Sequence, residues 1–153
     1  MMRLGLSLFA IAVSLIGGNV AGAQNKPALP SYFSVPERMI ISHPERIVVE
    51  NDASASFRVE DGAPRRVERH GKRFVAYLMM DPDLEQEPRE IWVRAKVGLI
   101  KSGWKIVGEQ AGPPVVATLH RKVGSKDVWA TFTVRSSAES SIEIIESNAA
   151  AKP

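Results

Sequence analysis

Three histidines, a run of carboxylates and one dense basic stretch are the residues whose types could do chemistry here. His43, His70 and His120 stand far apart in the chain, and none pairs with another at a metal-ligand spacing. No H-E-x-x-H or comparable cluster occurs, so a metal site would need convergence in three dimensions. Asp81, Asp83, Glu85, Glu87 and Glu90 could supply an acid/base pair. They equally suit the positive end of a following helix, and DPDLEQE lacks the glycine and ligand spacing of an EF-hand loop. No G-x-S-x-G elbow is present, and Gly124-Ser125-Lys126 reads as a hairpin turn. The chain has no cysteine, which excludes disulfides, thiolate nucleophiles and cysteine-based zinc sites together. No catalytic residue, cofactor or metal is expected from these patterns.

The basic stretch is RRVERHGKRF, residues 65–74. His70-Gly71 suits a tight turn, because both residues tolerate positive φ, so the charges are expected to flank a hairpin tip. Charge is common there and discourages edge pairing. A contact with an anionic envelope polymer or with phospholipid head groups would use Arg65, Arg66, Arg69, Lys72 and Arg73.

The elements that must position these residues follow from periodicity. Ile47-Val48-Val49 opens a strand that Glu50-Asn51-Asp52 is expected to end, and Ser56 to Val59 is a weaker strand. In RFVAYLMM apolar residues fall on both faces, which predicts an interior strand. A helix is predicted over 87–102. Pro88 lies in its first turn, Glu85, Glu87 and Glu90 are at its N-terminal end, and Gly103 caps the other end. Ile91, Trp92, Ala95 and Leu99, with Gly98 beside them, form its core stripe, leaving Arg89, Arg94, Lys96 and Lys101 wet. Beyond it the period changes to two: Trp104 to Val107, Val115 to Arg121, Asp127 to Val134 and Ile142 to Glu146 read as strands. The expectation is an α+β domain over 31–146, an antiparallel sheet of about five to seven strands packed by one main helix.

The N-terminus sets the expected location. Met1-Met2-Arg3 precedes the apolar run Leu4 to Ile16, and small residues lead to Ala21-Gly22-Ala23. This is the pattern of a secretory signal peptide, with cleavage expected after Ala23 and a mature start at Gln24. Residues 24–30 read as a flexible leader and 147–153 as a flexible tail. The strongly apolar core is shorter than the roughly 20 residues that span a bilayer, which disfavours an uncleaved anchor. No transmembrane span is expected after cleavage. The expected compartment is the periplasm, or the medium for a cell without an outer membrane.

The net charge of +3 falls by one when Arg3 leaves with the signal. Acidic and basic residues are interspersed, so no concentrated nucleic-acid footprint exists and no nucleic-acid partner is expected.

GKRFVAYLMMD, REIWVRAKVGLIKSGWKIV, ATLHRKVGSKDVWATFTV and IEIIE together resemble the N-terminal periplasmic domain of certain OmpA-family outer-membrane-associated proteins. The matching positions are Gly103-Trp104, Gly124 with Asp127 and Trp129, and Ile144-Ile145-Glu146. Pro44 to Val48 is a weaker match to an opening strand. A peptidoglycan-binding domain usually follows in that family, and it has no counterpart in the residues up to Pro153. The resemblance therefore implies an envelope location and this fold, but no peptidoglycan-binding or catalytic residues. It points to a non-enzymatic domain that binds or braces another envelope component, whether a protein or an anionic polymer. The alternatives are a small periplasmic hydrolase and a carrier of a small apolar ligand held near Trp92 and Trp104, residues that also suit ordinary core.

Overall fold

The computed structural model describes residues 26–148. The expected signal peptide with Ala21, Ala23 and Gln24, the start of the leader and residues 149–153 of the tail lie outside the described residues. Among the described residues, seven strands and one α-helix make a single antiparallel sheet with the helix on one face, an α+β arrangement. The strands are β1 (Met39–Ile41), β2 (Val48–Val59), β3 (Arg65–Met80), β4 (Lys105–Gln110), β5 (Val115–Val123), β6 (Lys126–Val134) and β7 (Ser140–Asn148); the helix is α1 (Pro88–Lys101). The sheet order is β1-β3-β7-β6-β5-β4, with β2 also paired to β3.

Helix α1 starts and stops where its residue types dictate. Glu87 and Glu90 form a reciprocal capping box, and Pro88 needs no donor at the first position. Gly103 leaves the helix at φ 89° without a Cβ penalty. Ile91, Trp92, Ala95 and Leu99 are buried against the sheet, as their spacing predicts. Beneath them lie Val115, Ala117 and Leu119 of β5 and Val128, Ala130, Phe132 and Val134 of β6, the alternate residues of each strand. Gly124 turns the β5–β6 hairpin at φ 59°.

Two expectations along β2 and β3 are corrected. Glu50-Asn51-Asp52 does not end a strand, because β2 continues to Val59 through a bulge between Glu50 and Ala53. The polar residues occupy the extra position that a bulge leaves unpaired. His70-Gly71 is not a hairpin tip. It lies inside β3, and the reversal falls over 60–64 instead. The glycine serves a close backbone approach: a Cβ at Gly71 would overlap the Glu146 carbonyl oxygen of β7.

These two features bend the β2–β3 hairpin. Pairing of β3 with β7 begins at Lys72, so residues 65–71 pair with β2 alone and form a two-stranded arm. The arm folds over the sheet face opposite α1. Phe57 and Val59 pack there on Val107, Trp129 and Ile145, a second core apart from the helix-side one. Its tip reaches the far edge, where the Glu60 N–H donates to the Val107 carbonyl at 2.7 Å. Gly108 permits this contact, since a Cβ there would overlap the Arg58 carbonyl oxygen.

The termini pack more than the flexible ends expected of them. Leu29 of the expected leader packs against the helix-side core, and Ser147 and Asn148 of the expected tail belong to β7.

Candidate docking surface

The five basic residues named from the sequence share one strand but not one surface. Arg65 pairs with Asp61 at 3.0 Å on the exposed tip. Arg66 reaches the Ser56 hydroxyl, and Lys72 lies over the Phe74 ring at 5.1 Å. Arg73 donates to Glu50 at 2.9 Å and to Glu143 at 2.7 Å, joining three strands. The hydrogen bond to Glu50 is the main reason its pKa is raised, with Glu143 adding to it against the opposing effect of burial.

Arg69 faces inward and clasps the arm to the sheet. Its guanidinium lies 4.7 Å from the Trp129 ring centroid, and Nε is 3.4 Å from Asp127 Oδ2. Trp129 Nε1 donates to that same oxygen at 2.9 Å, while His120 Nε2 is 2.6 Å from Oδ1. Burial pushes the Asp127 carboxyl up. The hydrogen bonds from His120 and Trp129, with the charges of His120 and Arg69, more than offset it and hold the group below its ordinary value. Arg69 alone ties this cluster to the arm, while His120 braces Asp127 and stacks on Trp129 with ring centroids 4.5 Å apart.

The other histidines stand apart. His43 contacts Glu45 on the surface. His70 links Ser54 Oγ, 3.0 Å from Nδ1, to Asp52 Oδ1, 2.6 Å from Nε2. The three residue types are those of a hydrolase triad, but the His70 and Asp52 side chains are 64% and 85% exposed. A serine nucleophile needs its base oriented by a shielded carboxylate and an oxyanion donor set beside it. A carboxylate in open water supplies little of that orientation. No group of three or more metal-ligating side chains converges among the described residues.

The acidic run before α1 is engaged locally. Asp81 accepts from Arg38 at 3.2 Å and from the Asp83 N–H at 3.3 Å, and Glu87 and Glu90 cap the helix. Trp92 and Trp104 are both core: Trp92 packs on Phe132 at 5.9 Å, and Trp104 packs between Tyr32 and Phe33 at 6.4 Å from each.

The outward side of α1 is different. Val93, Val97 and Ile100 are 57%, 51% and 51% exposed. Their spacing of four and then three places them in one row along the helix. Arg89, Arg94 and Lys101 rise around them, and none of the three has an ion pair among the described residues. Lys96, nearer the sheet, is paired with Glu109 at 2.6 Å. A shallow groove of about 680 Å³ runs along this face, floored by Val93, Val97 and Gly98, with Glu37 on its far wall.

Sequence reasoning placed the cations in solvent and left the valines and isoleucine unassigned. The signal that could have found them is an apolar row at helical spacing directly opposite the core stripe. No helix among the described residues is long and apolar enough to cross a membrane. In comparisons with protein-family models, curated proteins and solved structures, no match to this chain was found.

Proposed function

We propose that this chain is a non-enzymatic, exported domain that docks on another component of the cell envelope through the outer face of α1. The observation that carries the reading is the row Val93, Val97 and Ile100, left in water on a helix whose opposite face is fully packed. Apolar side chains scattered singly on a surface need no explanation, whereas a contiguous row rimmed by polar groups is the usual mark of an interaction site. The basic start and A-x-A pattern of residues 1–23 support export. The resemblance of residues 71–146 to a periplasmic domain of OmpA-family proteins supports an envelope role. The arm's five basic residues are a weaker docking surface, because Arg65, Arg69 and Arg73 already have carboxylate partners.

The test is a photo-crosslinking residue placed in cells at Val97 and, separately, at exposed Glu68 on the arm. Crosslinking of an envelope component from position 97 and not from 68 is expected. Silence at both positions, or equal yield from both, would overturn the assignment of α1 as the docking face. The hydrolase reading draws on Ser54, His70 and Asp52, and their exposure to water makes it the weaker one.

A further inference from the structure

We propose that the outer face of α1 docks on an anionic phospholipid surface, an inference that rests on the docking reading above and names its partner. The exposed row stands beside the groove, open to an approaching surface. α1 lies on the sheet with its inner stripe wholly buried, so the outer row runs tangent to the molecule. Val93, Val97 and Ile100 can enter the head-group region together, while the long stems of Arg89, Arg94 and Lys101 carry their charges out to the phosphates.

Charge complementarity gives the sign. These three cations border the apolar row without an ion pair among the described residues. The acidic groups nearby are Glu90, whose carboxylate folds back to the Glu87 N–H at 3.4 Å, Glu37 across the groove, and Glu109, whose carboxylate feels the charges of both Lys96 and Arg89. Lys96 is neutralised by Glu109 and contributes no net charge. With the Lys96–Glu109 pair cancelling, Arg89, Arg94 and Lys101 against Glu90 and Glu37 leave the face with a net charge of about +1.

Each basic residue near an anionic surface strengthens binding by about five-fold, so removing three should weaken it by roughly a hundred-fold. With only three half-exposed aliphatic side chains to insert, docking should be reversible, of the order of a single acyl anchor.

The experiment is co-sedimentation of the purified mature chain, starting at Gln24, with phosphatidylcholine vesicles, with and without phosphatidylglycerol, across a salt series. Binding only to the phosphatidylglycerol vesicles, weakening with salt, is expected. The triple variant R89Q/R94Q/K101Q should lose binding by about the factor above, and V97D should lose most of it. Because residue 97 is exposed, V97D should retain the wild-type circular dichroism spectrum and melting temperature. The arm variant R65Q/R66Q/K72Q should bind as wild type does. Equal binding to neutral vesicles, equal loss in the arm variant, or no binding by the wild-type chain would each overturn the inference. A protein captured from Val97 in cells, with no vesicle binding, would leave the docking reading standing and remove the lipid. Failure of both experiments would remove both.

Discussion

Gly71→Ala and Gly98→Ala make the same chemical change at two places where the structure demands opposite outcomes. At Gly71 the new methyl would overlap the carbonyl oxygen of Glu146, a backbone atom of β7. β3 cannot move away freely, because β2 holds its other edge, with Ala53 paired to Gly71. Relief requires β3 and β7 to separate where their pairing begins, at Lys72 and Glu146. Overpacking of this kind costs about 1–3 kcal/mol. Loss of one or two ladder hydrogen bonds adds about 1 kcal/mol each, and the lower entropy of an unfolded alanine returns about 0.4–1 kcal/mol. The net expectation is destabilisation by about 3 kcal/mol, a large part of the roughly 5–15 kcal/mol that holds a domain folded.

At Gly98 nothing beyond the local helix backbone lies within 4 Å of the added methyl, and the residue is inside α1. Alanine is favoured over glycine in a helix by about 1 kcal/mol, so this variant should gain up to that amount. Urea unfolding followed by circular dichroism reads both values, with the slope checked for constancy. Equal shifts for the two variants, or a neutral G71A, would refute the claim that the arm departs through a crowded glycine.

Two further outcomes follow from the polar contacts, and the α1 crosslinking and vesicle tests stand beside them. The Tyr32 hydroxyl donates to buried Glu146 at 2.8 Å. Burial first, then that hydrogen bond and the carboxylate charge, raise the Tyr32 pKa above its ordinary value, outweighing the opposing charge of Arg121. The protonated form is the one the fold favours, so this stabilisation is complete below the unfolded pKa of about 10 and is lost as pH rises above it. Tyr32→Phe should cost about 1.5 kcal/mol at neutral pH and show a shallower alkaline loss in urea midpoints; an unchanged alkaline slope would contradict the assignment. Arg73→Gln should cost about 1 kcal/mol, since it bridges Glu50 and Glu143, while R65Q, R66Q and K72Q should each stay within about 0.5 kcal/mol. Thermal melts of the four variants decide this, and four equal shifts would count against a structural role for Arg73.

Local pattern carried much of this molecule. Residues three and four apart on α1, and alternate residues on β5 and β6, needed only the periods 3.6 and 2 to reveal which face is buried. The helix ends were equally legible, because Pro88, Glu90 and Gly103 act within a turn of themselves. The lack of cysteine excluded whole chemistries outright. Tertiary structure decided what depended on distant partners. Gly71 reads as a turn residue until Glu146, far along the chain, is seen to need its missing side chain. Asn51 and Asp52 read as a strand end until β3 is seen to continue past them on the other side of a bulge. Arg69 reads as one member of a charge cluster until the bent arm carries it onto Trp129 and Asp127. The docking row lies between these cases. Its spacing is written in the helix, but only the placement of the sheet against the opposite side shows that Val93, Val97 and Ile100 remain in water. Helical and strand periods are properties of the local backbone, whereas exposure, ion pairing and close approach are set by what long-range packing brings alongside.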